Sequence, residues 1–213
     1  MDAAIILAGG EPVDHGLIGD LPSPAFVIAA DNGLALAEPL GLTADLVVGD
    51  MDSVDPVLLA AAQAGGSAIE RHQPNKDASD LELAMEAALQ RGASHLVVVG
   101  GAGGRIDHLL TNAALLGSER FSSARVTWLV NEARVTVIRR RATLSGNPGD
   151  LVTLLALGTG AKGITTTGLA WPLDDQPLAA GSSRGLSNQM TEPTATVEVS
   201  HGTLIAIQPR ADA

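Results

Sequence analysis

Cysteine is absent from the 213 residues. That excludes disulfides, thiolate nucleophiles and Cys-ligated zinc, and it fits a reducing compartment, so the expected location is the cytoplasm. Tyrosine is also absent, and only two Phe and two Trp are present. The core must therefore be built from Val, Leu, Ile and Ala. Positive charge is scarce: 13 Lys and Arg stand against 24 Asp and Glu, a formal charge of −11. Such a balance argues against a nucleic-acid or anionic-membrane partner, since both reward dense Lys and Arg. The three arginines at 139–141 are the one basic run, read as a solvated strand edge that discourages pairing. No segment reaches the roughly 18 uninterrupted apolar residues of a spanning helix. The start, "MDAAIILAGGEP", has an acid at position 2 and too short an apolar run for a signal peptide.

What is present falls into two rhythms. To about residue 130, the runs "AIILAGG", "AFVIAAD", "DLVVGD" and "HLVVVGG" are apolar throughout rather than alternating, as in strands of a parallel sheet covered on both faces. Helical patterns separate them. "SVDPVLLAAAQAGG" offers Asp55 as a cap, Pro56 at the first helical position and Gly65-Gly66 as a stop. "SDLELAMEAALQRG" places apolar residues at 81, 84, 85, 88 and 89 on one face behind a Ser79–Glu82 capping box. "HLLTNAALL" reads as a third, shorter helix. This β-α alternation predicts an α/β, doubly wound, mostly parallel sheet. Past about 133, "RVTVIRR", "DLVTLLAL", "KGITTTGL", "ATVEVS" and "TLIAIQ" are short strands between Gly, Pro, Asn and Ser. They predict a small C-terminal all-β sandwich, with a boundary in "VNEAR" that divides the chain into 1–132 and 133–213.

In an open parallel sheet, ligands bind beyond the carboxyl ends of the strands. Those ends carry Asp31-Asn32-Gly33, then Asp50 and Asp52, then "GGAGGRIDH" from Gly100 to His108. The loop "RHQPNKDASD" adds Asp77 and Asp80. A single Asp in a turn is most often local hydrogen bonding, and Asp80 also suits a helix N-terminus. Several segments bringing Asp and Arg105 to one rim point to a cation instead, because close carboxylates repel unless something positive sits among them. Hard oxygen donors suit Mg²⁺. The glycines let backbone N–H groups approach a phosphate, with Arg105 as a bidentate partner. His108 reads equally as an acid–base group or a helix-start hydrogen bonder.

Three other patterns fail on context. "GTGAKG" at 158–163 fits the dinucleotide spacing G-x-G-x-x-G, but strand-like "ITTTGL" follows where a helix is required. "DMDSV" fits the D-x-D-x-[TV] of haloacid-dehalogenase-like phosphatases, yet it closes the third strand rather than the first. The same D-x-D serves nucleotide-sugar glycosyltransferases. Trp128, with Val126 and Val130 at period two, reads as core.

Taken in order, the segments resemble the thiamine pyrophosphokinase (thiamine diphosphokinase) family across nearly the whole chain. "AADNG", "VVGDMDSV", "NKDASDLELAMEAAL" and "GGAGGRIDHLLTNAALL" are similar to its Asp-x-Gly turn, G-D-x-D-S, D-x-x-[ST]-D and G-G-R-x-D-H segments. "TTTGLAWPL" and "GLSNQ" are similar to its later G-L-x-[WY]-x-L strand and Ser-Asn. The resemblance implies transfer of pyrophosphate from ATP to the thiamine hydroxyl with release of AMP. It implies Asp50, Asp52, Asp77 and Asp80 at a Mg²⁺-linked catalytic centre with Arg105. The nucleotide would meet Asp31, Asn32, Gln73, Gly101, Gly104, Arg105, Asp107 and His108. Thiamine would meet Trp171, Ser187 and Asn188, although Trp171 also suits a core or interface position. A homodimer, with the site where subunits meet, is implied as well. Glu82 stands where eukaryotic relatives often carry Lys, which marks a bacterial type. Two alternatives remain open: a same-fold pyrophosphokinase for another alcohol, such as a hydroxymethyl pterin, and a non-catalytic nucleotide- or thiamine-binding protein.

Overall fold

The computed structural model describes residues 2–19, 21–23, 25–73 and 77–210. Chain contacts divide it in two. One unit runs to Leu115 and includes Ser123–Asn131; the other takes Leu116–Ser122 and the described chain from Glu132 onward.

In the first unit, β1 (Ala3–Ala8), β2 (Phe26–Ala30), β3 (Leu46–Gly49), β4 (Ala68–Arg71), β5 (His95–Gly100) and β6 (Arg125–Val130) form a sheet. Their order is β4-β3-β2-β1-β5-β6, and every pairing is parallel. β1 and β3 are buried at every position, which is why they read as apolar throughout. The helices are α1 (His15–Ile18), α2 (Pro56–Ala64), α3 (Asp80–Gln90) and α4 (Ile106–Leu116). Asp55 caps α2 by accepting from the Val57 N–H at 2.7 Å, ahead of Pro56. Ser79 caps α3 by accepting from the Glu82 N–H at 3.2 Å. α3 buries Leu81, Ala84, Met85, Ala87 and Ala88, so Ala87 rather than Leu89 completes the stripe. α4 has 11 residues, as many as α3, and is not the shorter helix expected. Its first turn, Ile106-Asp107-His108, is exposed, so no apolar stripe marks where it begins.

The second unit is antiparallel throughout. Its strands are β7 (Ala133–Ile138), β8 (Arg141–Ser145), β9 (Leu151–Thr167), β10 (Gln176–Leu178), β11 (Asn188–Gln189), β12 (Thr194–Glu198) and β13 (His201–Pro209). The two short strands expected at "DLVTLLAL" and "KGITTTGL" are one 17-residue strand, β9. Its first half pairs with β13, and its end pairs with β12. Within the β13 pairing, which resumes at Ala161 and Lys162, the register jumps: Gly202 faces Ala161 while Thr203 faces Leu157. Residues 158–160 bulge out, with Gly158 and Gly160 at φ 61° and 100°, a conformation open mainly to glycine. "GTGAKG" is thus a bulge inside a strand. Inward side chains of both layers, among them Leu144, Val152, Leu154, Ile164, Val197 and Leu204, form one aliphatic core. Arg139 is not a solvated edge residue. It is half-buried, and its guanidinium donates to the carbonyls of Leu116 (3.2 Å) and Ser118 (2.8 Å), satisfying the last carbonyl of α4.

Candidate active site

Register decides what meets at the carboxyl edge of the parallel sheet. Ala8 of β1 pairs with both Ala30 of β2 and Gly100 of β5, and Ala30 pairs with Val48 of β3. Four neighbouring strands therefore end side by side. The residues just beyond them are Gly9-Gly10, Asp31-Asn32, Asp50 to Asp52, and Gly101 to Arg105. Chain order reverses between β1 and β5, the position where doubly wound sheets open a crevice. A cleft of about 280 Å³ lies there, lined in part by Gly9, Gly10, Asp31, Asp80, Gly101 and Arg105.

One wall is acidic. A carboxylate oxygen from each of Asp31, Asp50 and Asp52 lies within 4.8 Å of the others. Asp31 is only 7% exposed and sits in the left-handed region at φ 46°, a strained conformation that clusters at functional sites. Its Oδ2 accepts from the Ser53 hydroxyl. Its Oδ1 is buried and has no hydrogen-bond partner among the described residues. Met51, between the other two acids, is also left-handed, at φ 66°. The Asp52 N–H donates to Asp50 Oδ1 at 3.2 Å. The neighbouring Asp50 charge pushes the Asp52 carboxyl above its ordinary range, and Asp31 and Asp80 add to the effect. Asp80 belongs to this neighbourhood: a Cβ on Gly49 would lie 3.0 Å from both Asp80 Oδ1 and Asp31 Cβ. Asp77 is exposed in the turn before α3. Among the described residues, neither it nor Gln73, Asp50, Asp52, Gly104 or Asp107 lines the cleft itself, and of these Asp50 and Asp52 are tied to it through Asp31. An orphaned buried oxygen, mutual repulsion and an all-oxygen donor set fit a hard divalent cation. Ser53→Ala leaves Asp31 without its hydroxyl donor. It is expected to cost about 1–2 kcal/mol of stability in a urea titration, and less when Mg²⁺ is present.

The opposite wall is glycine. Carbonyls along the loop after β5 are taken from behind. Gly100 C=O accepts from the Trp128 indole N–H at 2.7 Å and Gly101 C=O from Asn112 Nδ2 at 2.9 Å. Ala102 C=O accepts from the Glu11 N–H at 2.7 Å. Trp128 is buried as expected of core, but its N–H also holds this turn. Arg105 projects beside the loop in a two-bond pair with Asp107, at 3.1 and 2.5 Å. The pair pushes the Asp107 carboxyl well below its usual range and raises Arg105. His108 and Asn112 share a face of α4 and line the cleft, as does the exposed Asn32. Gly104 (φ 71°) sits on the exposed part of the loop. Sequence reading did not single out Gly9, Gly10, Ser53 or Asn112. Gly9 and Gly10 lacked a signal of their own, because only the central place of β1 brings them to the cleft.

The second unit has its own cavity, about 440 Å³, lined by Leu154, Trp171, Pro172, Arg184, Leu186 and Asn188 among others. Trp171 is 61% exposed, not a core residue of this chain. Ser187 is exposed and left-handed at φ 56°, with its N–H donating to Thr153 Oγ1 at 3.1 Å. Asn188 is buried, with hydrogen bonds to Trp171.

Fold and cleft together define a doubly wound α/β protein with an acidic switch-point crevice, followed by an antiparallel sandwich. Residues 21–128 match the family model described as thiamin pyrophosphokinase, catalytic domain. Residues 136–204 match that described as thiamin pyrophosphokinase, vitamin B1 binding domain. The chain belongs to the thiamin pyrophosphokinase family. It is similar to thiamine pyrophosphokinase of Bacillus subtilis (strain 168), at 22% identity over 96% of each chain. It is also 26% identical to thiamine pyrophosphokinase 1 of Oryza sativa subsp. japonica, over 72% of this chain and 61% of that protein. The crystal structure of the Bacillus subtilis thiamine pyrophosphokinase superposes with a TM-score of 0.86 at 22% identity, covering 99% of this chain and 100% of that one. Thiamin pyrophosphokinase from Candida albicans superposes at 0.80 with 16% identity, covering 98% and 90%. At these identities the structural likeness is one of fold.

Proposed function

We propose that the chain is a thiamine diphosphokinase, transferring pyrophosphate from ATP to the hydroxyl of thiamine to give thiamine diphosphate and AMP. The observation that carries this reading is the grouping of Asp50 and Asp52 with Asp31, which together with Asp80 lines a crevice that a glycine loop also lines. Family membership supplies the substrate class. The first unit is assigned to nucleotide and metal. The second is assigned to thiamine and to dimerisation in a cytoplasmic homodimer.

Asp31, Asp50 and Asp52 would hold Mg²⁺, with Asp80 close by; the ion supplies positive charge against the triphosphate. Gly101, Gly104 and Arg105 orient the phosphates, and Asp107 keeps the Arg105 guanidinium aimed. Asp80, placed at the start of α3 and facing the acidic group, orients the attacking hydroxyl and accepts its proton. The thiamine oxygen bonds to the β-phosphorus, the α–β bridging P–O bond breaks, and AMP leaves. Catalysis here is chiefly positioning and electrostatics. In the second cavity, the exposed Trp171 face suits a cationic thiazolium.

Incubation with thiamine, ATP and Mg²⁺ should yield AMP and thiamine diphosphate in equal amounts. ADP, free phosphate or no product would overturn the reading. Trp171→Ala is expected to raise the KM for thiamine roughly tenfold, as loss of a cation–π contact of about 1–2 kcal/mol requires, while the KM for ATP stays within about twofold.

A further inference from the structure

We infer that Asn188 is a positioning residue, clamping the Trp171 peptide so that the indole stands as a fixed wall of the second cavity, rather than a group that holds the ligand. The identity of the ligand used below rests on the thiamine reading.

A primary amide offers one oxygen with two lone pairs and one nitrogen with two hydrogens. Asn188 Oδ1 accepts from the Trp171 N–H at 3.1 Å and from the Gln189 N–H at 2.8 Å. Nδ2 donates to the Trp171 carbonyl at 2.8 Å. Two donors meeting one atom and an acceptor meeting the other leave a single orientation of the amide. Both lone pairs and one of the two hydrogens are therefore spent inside the protein.

The geometry is that of a strand pairing made with a side chain. Asn188 binds both the N–H and the C=O of one residue, as a neighbouring strand would. Backbone contacts continue the zip: Ala170 N–H donates to Gln189 C=O at 2.9 Å, and Leu169 bridges to Met190. Pro172 follows, fixing its own φ. Ser187, left-handed just before Asn188, turns the chain so that this amide points inward.

Trp171 needs such a clamp. With 61% of its surface exposed, the indole has little packing to hold it, so its direction depends on its backbone. A wall that must stay open to a ligand cannot be fixed by burying it. Asn188, only 7% exposed although it reaches the cavity lining, supplies the rigidity through the Trp171 backbone.

The test separates clamping from direct contact by cutting the ligand in two. The N-methyl hydroxyethylthiazolium fragment keeps the cation that would face Trp171 and lacks the aminopyrimidine that Asn188 would otherwise bind. Binding of thiamine and of the fragment is measured on the intact protein labelled with 5-fluorotryptophan, the Trp171 resonance being assigned through Trp171→Phe. In Asn188→Ala, both ligands should weaken by the same factor, about tenfold. The Trp171 ¹⁹F signal of the ligand-free protein should move and broaden, while that of Trp128 stays. Asn188→Ser, shorter and able to keep one accepted bond, should show the same equal weakening to a smaller degree, and it serves if the alanine variant does not fold. Weakening of thiamine with the fragment untouched would overturn the inference, as would an unmoved Trp171 signal. Wild-type protein that binds neither molecule would instead strike at the thiamine reading, leaving the ligand-free ¹⁹F comparison to judge the clamp.

Discussion

Asp52→Asn should lower kcat roughly 100-fold or more, the loss of several kcal/mol of charge stabilisation, while the fold survives. The survival is the informative half. The Asp50 carboxylate holds the Asp52 carboxyl above its ordinary range. An acid whose pKa is raised by folding contributes stability that is fully present below its unfolded pKa and is lost as the pH rises through the raised one. At neutral pH, then, the Asp52 charge works against the fold, and the neutral amide removes a repulsion. The metal-free variant is expected to melt no lower than the wild type. Mg²⁺, by contrast, should raise the wild-type Tm by binding the folded state and raise the variant's much less. Melting curves with and without Mg²⁺, beside the AMP assay, check both halves. Near-normal turnover, or an undiminished Mg²⁺ increment, would remove Asp52 from the cation site.

Gly10→Ala should destabilise the protein by about 3 kcal/mol or more, combining left-handed strain with overpacking against fixed backbone. Gly10 has φ 127°, and a Cβ there would stand 2.0 Å from the Ala102 carbonyl oxygen. That oxygen is held in place by the Glu11 N–H at 2.7 Å, so it has nowhere to go. Relief must come from parting the Gly9-Gly10 and Gly101–Gly104 loops, which are the walls of the cleft. Nucleotide affinity should fall along with stability. Gly41→Ala is the matched control: its φ is 64° and nothing lies within 4 Å of the added methyl. It should cost only the left-handed penalty of about 1–2 kcal/mol and leave nucleotide binding alone. Equal urea midpoints for the two variants would refute the steric account.

Much of this was legible from residue types. The parallel strands showed themselves because a strand covered on both faces has no polar positions to interrupt it, as Ala3–Ala8 and Leu46–Gly49 illustrate. The α2 and α3 starts were legible because capping is local chemistry: Asp55-Pro56 and Ser79 need only their next turn. β9 escapes a reading of the sequence for the opposite reason. Its three internal glycines have the composition of a turn, and only pairing with β13 on both sides of the bulge makes them part of one strand. The acidic rim could be foreseen segment by segment, since Asp31, Asp50, Asp52 and Asp80 each follow or precede a recognisable element. How they group depended on register, which sequence does not carry: β2 beside β3 draws Asp31 into the set with Asp50 and Asp52. The Ser53 hydroxyl and the Asn112 amide act on partners 22 and 11 residues away, at separations no local pattern reveals.

The length of β9 has a further consequence, for how the sandwich assembles. Its partners β10, β11, β12 and β13 all lie later in the chain, and the last of them begins 34 residues after β9 ends. A ribosome therefore releases β9, whose first half is mostly aliphatic, well before β13, the partner of that half, can zip onto it. Such distant closures are slow and leave sticky hydrogen-bonding edges open in the meantime. C-terminal truncations that clip β13 should consequently yield inclusion bodies rather than a trimmed, soluble product.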